Sequence, residues 1–301
     1  MRKRTDGDSS RDRLTHAATR PPFCDESGNK GWFTKFSRAR RHFVRHLNLE
    51  IAGWPQWSRP LRIAFLSDFH VGSHSDDIAR LNLIIDEAAS ATPDLALFGG
   101  DYVNMQSFGG GRVPPRITAA ILSRLEAPLG RFAVLGNHDY AYDEHAVAGA
   151  LEDHGIITLD YDRRSIQFQS RLVQIIGLPD APVTRAEGYS LLATLSSDEP
   201  TIVLAHDPVW FANVPSGPHL TLAGHTHGGQ IRVPGIGIVR NGSKAPLSWS
   251  HGLIEERGRY LFVTSGLGTS VVPIRWGVPP EFAVLDLIGK SQTQRSSVDL
   301  S

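Results

Sequence analysis

The chain has 301 residues, of which 41% are hydrophobic, with 31 basic and 31 acidic side chains. That apolar share is enough for a sizeable core, and the even charge balance gives no reason to expect nucleic acid as a partner. A single cysteine, Cys24, excludes an intrachain disulfide, and no apolar run reaches the ~18 residues that a membrane-spanning helix needs.

Residues 1–30 are polar and predict a disordered tail. No apolar run follows the basic start, Met1 to Arg4, so no export signal is expected. Residues 31–49 interleave Trp32, Phe33, Phe36, Phe43, Val44 and Leu47 with Lys35, Arg38, Arg40, Arg41 and Arg45. A helix here has an aromatic and a basic face, the composition of an interfacial membrane helix; a helix docked on the domain with its basic face in water is the alternative. The expected organisation is a tail and amphipathic segment over 1–48, one folded domain over 49–289, and a polar tail over 290–301.

From Leu61 onward a pattern recurs. Apolar runs at 62–66, 95–98, 131–135, 201–205 and 220–223 each deliver polar groups at their carboxyl end: Asp68 and His70, Asp101, Asn137 and His138, His206, then His225 and His227. Between several of them lie helical patterns. Ile78, Leu81, Ile84, Ile85 and Ala88 follow helical spacing after Ser75, Asp76 and Asp77; 116–125 and 143–154 read as helices too, the latter stopped at Gly155. Strand and helix in alternation predict an α/β fold with a layered sheet, whose ligands sit beyond the carboxyl ends of the strands. Residues 156–177 predict short strands with a turn near 162–164. The Gly- and Pro-rich remainder adds strands at 231–233, 236–239, 260–264 and 282–287, a second sheet packed on the first.

The segment 222–234, LAGHTHGGQIRVP, concentrates the chemistry. If the strand continues through it, His225 and His227 stand two apart, share a face and meet one target. The pooled clusters are a nitrogen and oxygen donor set without thiolate, suited to zinc, iron or manganese and not to a closed structural zinc site. They are too many for one ion and enough for two, and a two-ion pocket fits a phosphate ester.

D-x-H, G-G-D, G-N-H-D, A-H-D and A-G-H-T-H-G-G-Q, in this order, resemble the calcineurin-like metallophosphoesterases over about 61–288. The resemblance implies a four-layer α/β/β/α sandwich and a metal-dependent phosphoric ester hydrolase with two divalent ions (Mn, Fe or Zn). Carried over by position, Asp68, His70 and His227 hold the first ion, Asp101 bridges, and Asn137, His206 and His225 hold the second. His138 is the catalytic acid, or stabilises charge. The implied reaction is hydrolysis of a phosphodiester by a metal-bridging hydroxide.

Within the family the chain is similar to a bacterial branch with membrane-linked phosphodiesterases and a UDP-diacylglucosamine pyrophosphatase. A pyrophosphatase acting on a nucleotide-linked glycolipid is therefore one alternative, and a non-catalytic scaffold of the same fold is another. Asn104 and Met105 stand where protein phosphatases carry the aspartate and arginine of G-D-x-x-D-R-G, which argues against that activity. A cytoplasmic protein is expected, with peripheral contact at the inner membrane surface through 31–49.

Arg232 and Arg275 are candidates to fork a substrate phosphate, or else pair with a carboxylate. Residues 271–274 and Trp276 line an acyl groove or pack in the core. His74, His145, His154 and His219 lie outside every motif and read as ordinary surface or loop residues.

Overall fold

The computed structural model describes residues 39–74, 76–105, 111–180 and 185–290. The expected tail at 1–30, the amphipathic segment as far as residue 38 and, apart from Lys290, the expected tail at 290–301 lie outside the described residues. Fourteen strands are present among the described residues: β1 (Phe43–Ile51), β2 (Leu61–Leu66), β3 (Leu95–Phe98), β4 (Arg131–Ala133), β5 (Ile157–Thr158), β6 (Arg163–Phe168), β7 (Arg171–Leu178), β8 (Thr201–Ala205), β9 (His219–Ala223), β10 (Arg232–Val233), β11 (Gly237–Ile238), β12 (Gly252–Glu256), β13 (Arg259–Val263) and β14 (Glu281–Gly289). Six form one sheet in the order β1-β14-β2-β3-β4-β5; six form a second in the order β12-β13-β9-β8-β7-β6; β10 and β11 make a small hairpin.

Period-two alternation inside the apolar runs builds the layers. Ile63, Phe65, Leu95 and Leu97 point inward and meet Val173, Ile175, Ile202, Leu204, Leu220 and Leu222 of the second sheet. Their neighbours Ala64, Leu66, Ala96 and Phe98 point outward, onto Leu81, Ile84 and Ile85 of the helix Asp77–Ser90 and onto Val147 and Leu151 of the helix Glu144–Asp153. On the far side Ile176, Val203, Ala205 and Val263 pack under Leu192, Trp210 and Phe211. Strands covered on both faces are apolar at most positions, which is why these runs read as nearly continuous. The result is the α/β/β/α sandwich.

Three expectations are corrected. Residues 43–49 are not helical: they belong to β1, which pairs in parallel with β14 from Phe43 opposite Glu281 to Ile51 opposite Gly289. Leu47, Leu49 and Ile51 alternate with exposed or half-exposed residues, a two-residue period that the basic composition masks. The strand runs through the boundary expected at 48–49. The turn expected near 162–164 falls instead between β6 and β7, at 169–170, and Arg163 already pairs with Ile176. Among the stray histidines, His74 and His219 are buried rather than exposed.

Arg45 of β1 donates to Glu281 Oε2 from Nε (2.9 Å) and from an Nη (2.7 Å), and His251 Nε2 lies 2.8 Å from Oε1. Burial alone would raise the Glu281 carboxyl; the hydrogen bonds from His251 and Arg45 outweigh it and hold it at about 2, below its ordinary 4.5. A carboxylate depressed on folding stabilises above its unfolded value, and that stability is lost as pH falls toward the folded one. Wild type should therefore lose about 2 kcal/mol more than Glu281→Gln between pH 6 and pH 3. Urea melts at the two pH values read this difference; parallel losses in both proteins would contradict it.

Candidate metal centre

Both sheets deliver their carboxyl ends to one place. Asp68 and His70 follow β2, Asp101 follows β3, Asn137 follows β4, His206 follows β8, and His225 and His227 follow β9. The loops are stitched by backbone: Asp68 N donates to Gly100 O (2.9 Å), His70 N to Asp101 O (2.9 Å) and Gly224 N to His206 O (3.0 Å). Two glycines are required by close approach. A Cβ at Gly136 would collide with Asp101 Oδ1, and one at Gly224 with the Asp68 carboxylate and Ser67 Oγ. Asp68, His70, Asp101, His225 and His227 all have positive φ, a cost that non-glycine residues bear where the surroundings over-determine them.

The side chains form two groups. Asp68, His70, Asp101 and His227 offer ligand atoms that all lie within 4.8 Å of one another, and so do Asp101, His206 and His225. Asp101 is common to both groups. In the first, His70 Nε2 faces His227 Nε2 at 3.1 Å and Asp101 Oδ2 at 3.3 Å. In the second, His225 Nδ1 faces His206 Nε2 at 3.1 Å, and His206 Nε2 stands 3.5 Å from Asp101 Oδ2. Facing imidazole nitrogens at that distance need a proton or a cation between them. Asn137 Oδ1 is buried and has no hydrogen-bond partner among the described residues, which leaves it free for a ligand.

Electrostatics fit the same use. Burial, with nearby cationic groups, overcomes the pull of Asp101 and holds His70 down at about 3, so its imidazole is neutral, the form a metal takes. For His206, burial is outweighed by Asp101 and Asp68, whose charges push it up. His206 Nδ1–H donates to Gly99 O at 2.6 Å, fixing the tautomer that leaves Nε2 free to bind. These donors fit divalent ions.

His225 and His227 do not share a target as the sequence spacing predicts. The strand ends at Ala223, and the positive-φ turn that follows sends His225 to one group and His227 to the other. Asn137 and His138 open the short helix Asn137–Tyr142. His138 N donates to Asp101 Oδ1 (2.9 Å), its ring meets that of His70 edge-on at 4.7 Å, and its Nε2 lies 3.3 Å from Ser270 Oγ.

Neither arginine candidate faces the site as expected. Arg275 is buried, and its guanidinium donates to the carbonyls of Ser265, Gly266 and Gly268 at 2.5–3.2 Å. It also sits 3.2 Å from His227 Nδ1, which makes it a brace behind the site. Arg232 is exposed and outside the cavity lining, whereas Arg240, which no motif singled out, is in it. Asp139, the last residue of G-N-H-D, holds no ligand position in the resemblance. Its carboxylate accepts from the backbone N–H groups of Gly136, Asp101, Tyr102 and Val103 at 2.8–3.3 Å, tying two ligand loops together. Burial and the Asp101 charge push it up to about 7. Its position three residues after Gly136, at the start of a helix, is the capping signal that could have found it. Asp180, Asp207 and His225 also approach within 4.8 Å, but Asp207 Oδ1 already accepts from Ser243 Oγ (2.5 Å) and Val209 N (2.8 Å).

Residues 61–229 match the calcineurin-like phosphoesterases, more than half of the chain, and the protein belongs to that family. It is accordingly a metallophosphoesterase, a hydrolase of a family that depends on a dinuclear metal centre. Over 274 residues it is 29% identical to Phosphodiesterase YaeI of Escherichia coli, covering 86% of this chain and 89% of that protein. It is 28% identical over 233 residues to the uncharacterised metallophosphoesterase YkuE of Bacillus subtilis, covering 75% and 78%. Among solved structures it resembles the NAD nucleotidase of Haemophilus influenzae at 14% identity and a TM-score of 0.46; the match covers 68% of this chain and spans about half (50%) of that one.

Proposed function

We propose that the chain hydrolyses a phosphodiester at two divalent ions. Asp68, His70 and His227 hold one ion, Asn137, His206 and His225 the other, and Asp101 both. The observation that carries this reading is the sharing of Asp101 between two compact ligand groups. Four positive charges meet two carboxylates, so the loaded site stays positive and attracts an anionic ester. Bound ions would supply an activated water at neutral pH and offset charge on the phosphoryl oxygens.

The chain's own residues do the rest. His138 lines the cavity beside Asn137, and in this reading it gives a proton to the leaving oxygen. Ser270 Oγ and the His70 ring orient the His138 imidazole. Arg240 lines the same cavity, of about 570 Å³, and in this reading takes the second substituent of the ester. The name of a relative, Phosphodiesterase YaeI, supports the choice of diester.

A pyrophosphatase on a nucleotide-linked glycolipid is the second reading, favoured by the apolar wall of Ile231, Val233, Val239 and Val271. A non-catalytic scaffold is disfavoured because all seven ligand positions carry a ligating side chain. The test is a panel of monoesters, diesters, nucleotide pyrophosphates and phospholipids, run on chelated protein and again after Mn, Fe or Zn is restored. Diester turnover that disappears on chelation and returns with metal is expected. Preference for a pyrophosphate linkage would replace the first reading with the second, and no turnover on any substrate would favour the scaffold.

A further inference from the structure

The mouth of the cavity carries a surface that hydrolysis does not explain. Ile231, Ile236 and Val239 on one segment and Val271, Ile274 and Trp276 on another are all exposed, on or next in sequence to the cavity lining. They are six of the thirteen exposed large hydrophobics among the described residues, so nearly half of that liability is gathered in two short segments. Ile231, Val239 and Val271 also line the cavity, so the patch is continuous with the site.

The two segments are one built surface. A parallel bridge joins Ile231 to Trp276; Trp276 N donates to Gln230 O (3.0 Å) and Arg232 N to Trp276 O (2.8 Å). Gln230 Nε2 donates to the carbonyls of Ser270 and Val272 at 3.0 and 3.1 Å, and Ser270 N donates back to Gln230 Oε1 at 2.8 Å. Ile236, 74% exposed, stands at the tip of the β10–β11 hairpin between Gly235 and Gly237, where an added Cβ would meet nothing within 4 Å. The tip therefore protrudes.

Charge completes the picture. Residues 208–254 and 260–280 contain no Asp or Glu, although the whole chain has as many acids as bases. The same segments expose Arg232, Arg240 and Lys244. Exposed apolar patches of this kind mark an interaction surface, and a protruding apolar tip among cations suits a fluid anionic face better than a matching protein groove.

We propose that this rim docks on an anionic lipid bilayer. Its apolar side chains enter the boundary between headgroups and acyl chains, and Arg232 and Lys244 lie against lipid phosphates. The cavity then opens onto the headgroup layer, where a lipid-borne phosphate ester is the substrate class presented. That last step rests on the phosphoesterase reading; the docking does not.

The experiment uses full-length protein and phosphatidylcholine vesicles with or without phosphatidylglycerol, read by co-sedimentation. Wild type is expected to bind the anionic vesicles, less so as salt rises. The triple variant Ile236→Ser, Ile274→Ser, Trp276→Ser should bind at least about tenfold more weakly, and Ile236→Asp alone should weaken binding even if the triple variant folds poorly. Turnover of soluble bis(p-nitrophenyl) phosphate should be unchanged in both. Equal binding to neutral and anionic vesicles, or undiminished binding by Ile236→Asp, overturns the proposal. So does a variant that loses self-association in sedimentation velocity while wild type ignores vesicles, which would make the rim an interface between copies. Absent turnover of the soluble diester in wild type would instead strike the phosphoesterase reading and leave the vesicle result standing.

Discussion

Asp101→Ala is expected to lower metal content at both positions and to reduce diester turnover to the rate without enzyme. Asp101 Oδ2 lies 3.3 Å from His70 Nε2 and 3.5 Å from His206 Nε2, and no other side chain belongs to both of these groups. Its loss also removes the acceptor of the His138 backbone N–H, so the loop after β4 loses an anchor. Asp101→Asn separates the two effects. It keeps an oxygen for the backbone but not the charge, so it should fold normally and still bind metal poorly. Measured metal content with circular dichroism decides: a folded Asp101→Ala protein that keeps both ions would show that Asp101 does not bridge.

His138→Ala should behave in the opposite way, keeping both ions and losing turnover. The imidazole is outside both ligand groups and contacts Ser270 Oγ at the cavity wall. General-acid assistance is worth roughly 10²–10⁴-fold, and the loss should shrink on an ester with an activated leaving group such as p-nitrophenol, which needs little protonation. The measurement is the ratio of rates on activated and unactivated diesters, wild type against variant. An equal loss on both would assign His138 to charge stabilisation of the phosphoryl group. Loss of metal as complete as in Asp101→Ala would place it among the ligands.

Much of the architecture is written in local pattern. The runs that became β3 and β8 are apolar at every position but Thr201 because both faces are covered, and their ends follow directly from the sequence. The helix Asp77–Ser90 follows from the spacing of Leu81, Ile84, Ile85 and Ala88. The site is legible to the extent that each ligand terminates such a run. What pattern does not show is direction. His225 and His227 part company because two successive ligand positions adopt positive φ, a conformation that residue type does not announce outside glycine. Arg275 reads as a phosphate fork and proves to be a brace, because only the fold shows that the carbonyls of 265–268 surround it. β1 was hidden by its own cations: Arg45 and His46 stand beside apolar positions whose two-residue period governs once β14 offers its free edge.

The most direct test of a shared two-ion centre is a titration of chelated protein with metal, recording bound ions per chain and diester turnover at each point. Binding is expected to saturate at two ions per chain, with turnover rising as the second ion fills and staying low while only one is bound. Saturation at one ion with full turnover, or full turnover in protein verified to be metal-free, would contradict the account.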